Sequence, residues 1–192
     1  MQVERCEPIS KMIQDKENFE KLYYDFNSLV YTIALNYLQN IEDAEEITQD
    51  VFLQIHQSLH KFENKSELKT WIYRITINKS LDFIKMKSSK KRLFIFGNKS
   101  QNENEYLSSS NFEHPGILME NQENAKILFL AITTLTENQK TAFILSKVDG
   151  LSNPEIAAIM ELSISSVESL VFRAKNVLKD KLAEKFKEYC KK

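Results

Sequence analysis

Glycine and proline are scarce in this chain, at three each among 192 residues. Such a shortage excludes collagen-like and linker-only chains and argues against a turn-rich β architecture. Cysteine is rarer still. Cys6 and Cys190 lie near opposite ends, form no CxxC pair and define no disulfide framework, so free thiols in a reducing cytosol are the expectation. No run approaches about 18 apolar residues, and no membrane insertion is expected. The first residues carry Glu4, Glu7, Asp15 and Glu17 in place of a basic stretch followed by an apolar one, and no signal peptide is read there. Gly-rich phosphate loops, Ser-His-Asp or Cys-His sets and cleft-forming carboxylate pairs are missing. His56 and His60 stand four apart on a helical stretch, a spacing known from metal pairs, but no acid or cysteine completes the set. The chain reads as non-enzymatic, with neither cofactor nor metal.

What is there is a segregated pattern of charge beneath a net charge of −1. Residues 1–60 hold 4 basic side chains against 11 acidic ones, and residues 61–100 hold 11 against 3. Residues 101–135 are acidic again, and residues 136–192 are weakly basic. A basic nucleic-acid face beside an acidic protein-contact face has this signature, although any one block alone reads equally as solvated surface.

Apolar spacing predicts an all-α chain. Phe19, Leu22, Phe26, Leu29, Ile33 and Tyr37 recur at three- and four-residue intervals over 18–40. After a break at Asn40-Ile41, Ala44, Ile47, Val51, Ile55 and Leu59 form a core stripe over 42–60, beside a polar stripe of Asp43, Glu46, Asp50, Gln54 and Gln57. A polar loop at 61–67 leads to a third helix over about 67–87, with Leu68, Trp71, Ile72, Ile75, Leu81 and Ile84 inward and Lys69, Arg74, Asn78, Lys79 and Lys85 on the other face. Residues 88–120 turn polar and end in a breaker cluster, His114-Pro115-Gly116, which predicts a flexible linker. The apolar island Phe94-Ile95-Phe96 within it docks on a partner or packs back on the first domain. The expected organisation is a first domain at 10–90, a linker at 91–120 and a second domain at 121–187.

The second block is punctuated by caps. Thr136-Glu137-Asn138-Gln139 and Ser152-Asn153-Pro154-Glu155 are capping boxes, the latter with proline in the first turn. Gly150 suits the left-handed position after a helix. A capped helix from 152 to about 160, a turn at Glu161-Leu162-Ser163 and a long helix from 164 describe a helix-turn-helix. Ala157 permits close approach, Val167 plugs the space between the helices, and Ile156 and Leu170 complete the small core. Ser165, Ser166, Glu168, Ser169, Phe172 and Arg173 are then the candidates for base edges, and Arg173 and Lys175 for phosphates. An αα-hairpin packed on something else is the plainer alternative.

Two runs of the chain resemble a known family. LTENQKTAFILSKVDGLSNPEIAAIMELSISSVESLVFRAKNVLKDKL, at 135–182, resembles region 4 of the sigma-70 family, which reads the −35 promoter element. NIEDAEEITQDVFLQIHQSLHKFENKSELKTWIYRITINKSLDFIK, at 40–85, resembles region 2 of its extracytoplasmic-function group. With the helix before it, the resemblance covers about 18–87 and 121–182.

This resemblance implies an all-α, two-domain sigma factor whose partners are core RNA polymerase and promoter DNA, duplex at −35 and single-stranded at −10. Asp43, Glu46, Gln49 and Asp50 then face the clamp helices of the polymerase's largest subunit. Lys61, Phe62, Asn64, Lys65, Ser66, Lys69 and Trp71 fall on the family's −10 reader, which captures a flipped base. Trp71 reads also as core with one edge exposed. Arg74, Asn78 and Lys79 track the backbone, and the Lys85–Arg92 run meets upstream duplex. The resemblance further implies an anti-sigma partner and a cytoplasmic location.

Departures from the family pattern are visible. Glu161 stands where the turn often has glycine, and a positive φ there costs on the order of 1–2 kcal/mol. The family commonly has basic residues at Glu168 and Leu170. Glu168 is suited to accept from a cytosine amine or to act as the N3 acid of a capping box with Ser165, the latter being preferred. The competing functional readings are a freestanding helix-turn-helix regulator binding duplex DNA and a helical adaptor without DNA.

Overall fold

Two residues interrupt the first periodic stretch and make it two helices. The computed structural model of the chain describes residues 16–62, 66–97 and 122–189. Helix α1 spans Lys16–Leu38 and α2 spans Ile41–Ser58. Between them Gln39 adopts a left-handed φ of 55°, and its amide donates to the Leu35 and Asn36 carbonyls at 3.1 and 2.7 Å. Orphan carbonyls at the end of α1 are thereby satisfied. Asn40 caps α2, its side-chain oxygen accepting from the Asp43 N–H at 2.8 Å. A 3-10 turn, Leu59–Lys61, closes α2, and α3 runs from Leu68 to Gly97.

Helix α3 is ten residues longer than the periodicity predicts. Residues 88–96 contain no glycine or proline, so the polar composition read as a linker propagates the helix until its first glycine, Gly97. The side chains of Phe94, Ile95 and Phe96 lie outside the described residues.

The second unit contains α4 (Gln122–Ile132), α5 (Glu137–Lys147), α6 (Asn153–Met160) and α7 (Ile164–Tyr189). Both capping boxes form. The Thr136 hydroxyl accepts from the Gln139 N–H at 3.4 Å, and the Gln139 side chain accepts from the Thr136 N–H at 3.3 Å. The Glu155 carboxylate accepts from the Ser152 N–H at 2.8 Å and from its hydroxyl. That pairing holds the Glu155 carboxyl below the usual carboxylate range. Gly150 sits at φ +71° after α5, as expected for a helix-ending glycine. Thr136→Ala is expected to lower stability by about 1 kcal/mol, readable as a lower urea midpoint at unchanged slope.

Burial follows helical spacing on two faces, not one. Val30 and Ala34 of α1 pack with Ala44, Ile47, Val51 and Ile55 of α2 and Ile72 and Ile75 of α3, which form the first core. The expected core roles of Ala44, Ile47 and Val51 hold. Ile33 and Tyr37, on the adjacent stripe of α1, join Tyr73 and Ile77 of α3 in a second core. That core also takes Ile132, Ile144, Leu145, Ile156, Val167 and Leu178 from α4–α7. The two helical units therefore share apolar surface across α1 and α3.

Candidate nucleic-acid interface

Helices α6 and α7 form the helix-turn-helix. Ile156 and Val167 are fully buried, Ala157 is buried, and Leu170 packs at the edge. Val167, Val171, Ala174 and Leu178 recur at four, three and four residues and fix which side of α7 faces in. Glu161 is left-handed, at φ 56° and ψ 40°, and lets the Leu162 N–H fold back to the Ala157 carbonyl at 3.1 Å. The opposite side of α7 is open: Ser165, Glu168, Arg173 and Lys175 are exposed, and Phe172 is 65% exposed. Ser166 and Ser169 are half-buried at its margin.

The cap of α7 corrects one expectation. Ser163, not Ser165, accepts from the Ser166 N–H, at 3.2 Å, and its hydroxyl lies 2.7 Å from that of Ser166. The helix begins two residues earlier than a Ser165 cap requires, so Glu168 is not an N3 acid. It accepts instead from the Asn153 side chain on α6 at 3.3 Å. Serines at 163, 165 and 166 offer several caps of similar propensity, and the chain reversal at Leu162 selects the first.

In the first unit, Glu46 and Gln49 are exposed on α2 and Asp50 is half-buried beside them. Asp43 pairs with Lys87 of α3. The expected −10 residues distribute along the 3-10 turn and the start of α3. Phe62 is buried against Trp71, with ring centroids 5.1 Å apart at 42°. Trp71 is half-buried, as core with an exposed edge. Ser66 is half-buried, Lys69 and Asn78 are exposed, and Lys79 is half-buried. Asn64, Lys65 and the Lys61 side chain lie outside the described residues. His56 meets Phe19 edge-on at 5.0 Å.

Arg74 is engaged in a way its sequence position does not announce. Its guanidinium donates to the Ile159 and Ala158 carbonyls at 3.2 and 2.6 Å and pairs with Glu161 at 2.7 Å. It thus caps the C-terminus of α6. Lys140 of α5 does the reverse, donating to the Tyr37 carbonyl near the end of α1 at 3.3 Å, above the Tyr37 ring. Asn36 donates to Asp149 at 2.8 Å, and Lys85 pairs with Glu137 at 3.1 Å. Lys140 carries a weak signal in sequence, since it lies four residues before Ile144 on the buried stripe of α5.

Loss of water displaces the buried Lys140 and the half-buried Asp149. The Lys140 ammonium is pulled down to about 8, and the Asp149 carboxyl is pushed up to about 6 against the lowering effect of Asn36. Because the folded carboxyl lies above its unfolded value near 4, its stabilising proton is fully present below about pH 4 and lost as pH rises through 6. Asp149→Asn is therefore expected to be more stable than the parent at pH 7. The gap should narrow toward pH 5 in thermal melts, and an equal gap at both values would refute the assignment. Lys140 acts at the other end, its depressed value favouring the fold as pH rises above about 8.

Residues 22–90 match Sigma-70 region 2, and residues 125–178 match Sigma-70, region 4. The chain belongs to the sigma-70 family. The ECF RNA polymerase sigma-E factor of Escherichia coli strain K12 is 28% identical over 177 residues, covering 88% of each chain. The fold is shared with CnrH, solved in complex with the cytosolic domain of CnrY, at a TM-score of 0.60 and 19% identity over 88% of this chain and 90% of that one. It is shared too with the sigma factor RpoE of Bartonella quintana, solved with the anti-sigma factor NepR, at a TM-score of 0.62 and 22% identity over 87% and 98%. This sigma factor of the extracytoplasmic-function group is a non-catalytic subunit that directs RNA polymerase to promoters for transcription initiation. Among the described residues, no helix of the sigma factor is long and apolar enough to cross a membrane.

Proposed function

We propose that the sigma factor divides its work by face, with a first domain at 10–90, a linker at 91–120 whose first residues continue α3 to Gly97, and a second domain at 121–187. Glu46, Gln49 and Asp50, with Asp43 at the edge, form the polymerase-docking surface of α2. Lys61, Phe62, Asn64, Lys65, Ser66, Lys69, Trp71, Arg74, Asn78 and Lys79 receive the single-stranded −10 element. Ser165, Ser166, Glu168, Ser169, Phe172, Arg173 and Lys175 of α7 read the −35 duplex. The work takes place in the cytoplasm, where core polymerase and DNA meet, and an anti-sigma factor withholds the protein until it is needed.

One observation carries the −35 assignment. Helix α7 buries Val167, Val171, Ala174 and Leu178 and leaves Ser165, Glu168, Phe172 and Arg173 open to solvent. That is the disposition a recognition helix needs to enter a major groove. The first turn, rich in serine hydroxyls, suits backbone and base-edge contacts, whereas Arg173 and Lys175 suit phosphates. Replacing Arg173 and Lys175 together with alanine is expected to weaken binding of the holoenzyme to −35-containing duplex. The slope of log affinity against log salt should flatten by roughly 0.9 per lost phosphate contact. An unchanged slope would exclude these two side chains from the DNA interface.

A further inference from the structure

From Leu151 to Phe172 the helix-turn-helix contains Glu155, Glu161 and Glu168 but no lysine or arginine. A segment that meets a polyanion is thus acidic until Arg173. Two of these acids are engaged nearby: Glu155 closes the capping box with Ser152, and Glu161 pairs with Arg74. Glu168 has no such role. Ser163 caps α7, and Glu168 is the fifth residue of a helix that starts at Ile164. It lies beyond the first turn, where the macrodipole favours an acid. Its neighbours three and four residues away are Ile164, Ser165, Val171 and Phe172, and none is a cation for an intrahelical pair. A carboxylate facing phosphates opposes binding unless a donor awaits it.

The carboxylate is held in place from the other helix. Asn153, half-buried at the start of α6, donates from its side-chain amide to Glu168 Oε1 at 3.3 Å. That bond engages one oxygen, and the residue itself stays exposed. A side chain braced in this way loses less freedom on binding than an unrestrained glutamate. Glu168 also shares its stripe of α7 with Ser165, three residues before it, and Phe172, four after it, both exposed.

Hydrogen-bond chemistry then selects the base. An ionised carboxylate only accepts hydrogen bonds. On the major-groove edge, guanine presents two acceptors, and thymine presents an acceptor and a methyl group. Adenine sets its amine beside the N7 acceptor, which repels the second carboxylate oxygen. Cytosine presents its N4 amine with no acceptor beside it on the same base.

We propose that Glu168, braced by Asn153, selects cytosine at one position of the −35 duplex, an inference that rests on the assignment of α7 to that element. Glu168 accepts from the cytosine N4 amine and repels the acceptor edges of guanine and thymine. Asn153 is a positioning residue that acts through Glu168. Discrimination here includes rejection of the wrong base as well as attraction to the right one, which accounts for an acid on a helix that faces DNA.

The test uses holoenzyme reconstituted from core polymerase and the full chain, on a promoter library randomised across both elements, with the retained templates sequenced. The parent is expected to enrich cytosine on one strand at one −35 position, roughly tenfold over guanine. Glu168→Gln, nearly isosteric, is expected to move that preference to adenine, whose N6 and N7 suit an amide, and Glu168→Arg to move it to guanine. The other positions should keep their profile. Glu168→Ala should erase the preference and raise retention of guanine and thymine templates above the parent, which loss of a merely attractive contact does not do. Asn153→Ala is expected to keep cytosine but cut its enrichment several-fold, with melting unchanged; an unaltered profile would overturn the bracing role. Enrichment at −35 that no Glu168 variant alters would overturn the proposal and leave the −35 assignment standing. A preference that depends on Glu168 but falls on another base would overturn the choice of cytosine. Selection at −10 with none at −35 in the parent would overturn the −35 assignment, and the proposal with it.

Discussion

Reversing Glu46 and Asp50 together to lysine is expected to reduce polymerase-dependent initiation by about a hundredfold or more, with the fold intact. Like-charge juxtaposition across an interface costs several kcal/mol, and about 1.4 kcal/mol is a factor of ten in affinity. Both residues lie on the solvent side of α2, Glu46 exposed and Asp50 half-buried, whereas Ala44, Ile47 and Val51 carry the packing. Helicity and melting should therefore stay near those of the parent. Asp43 makes a poorer test because it pairs with Lys87, and its reversal disturbs the attachment of α3 to α2. Gel filtration with core polymerase gives the direct reading: the variant should elute free. Co-elution at parental affinity would remove this face from the polymerase interface.

Val167→Asp is expected to dismantle the second unit and spare much of the first. Val167 is fully buried between α6 and α7 beside Ile156. A carboxylate there has no partner, and an unpaired buried charge belongs among the few changes that cost more than about 4–5 kcal/mol. The first core, around Ala44, Val51, Ile55 and Ile72, shares no buried residue with the second, and the half-buried Leu38 packs against both. It should survive, with Ile33, Tyr37, Tyr73 and Ile77 newly exposed. Limited proteolysis is expected to leave a protected fragment containing α1–α3, with roughly half the helical signal. Complete loss of both units in one transition would mean that the shared surface, not the separate cores, determines stability.

The local rules were the most legible part of the fold. Both capping boxes form where Thr136 and Ser152 stand, and Gly150 is left-handed after α5. Such features depend on neighbours within a few residues, which a sequence displays directly. The helix-turn-helix core of Ile156, Ala157 and Val167 was legible for the same reason.

What the sequence concealed depends on partners far along the chain. Ile33 and Tyr37 read as part of the first domain's stripe, because a helix with apolar residues on two adjacent faces still shows three- and four-residue spacing. Only the fold reveals that they cover the second unit. Arg74 on a polar helix face is compatible with solvent, phosphate or another helix's carbonyls, and nothing within its neighbourhood distinguishes them. The extension of α3 to Gly97 was obscured by composition, since lysine- and serine-rich sequence is common to linkers and to solvated helices. In the recognition helix, Ser163 displaced Ser165 as cap because the preceding turn fixes where α7 can start.

The most direct test of the account is abortive initiation by purified core polymerase across a randomised promoter library, with and without the chain. The prediction is chain-dependent initiation from templates that share two elements at fixed spacing, lost with the Glu46 and Asp50 reversals and confined to −35-independent templates with Val167→Asp. No initiation from any template with folded protein and active core enzyme would contradict it, and tight binding of duplex DNA without polymerase would then point to a freestanding regulator.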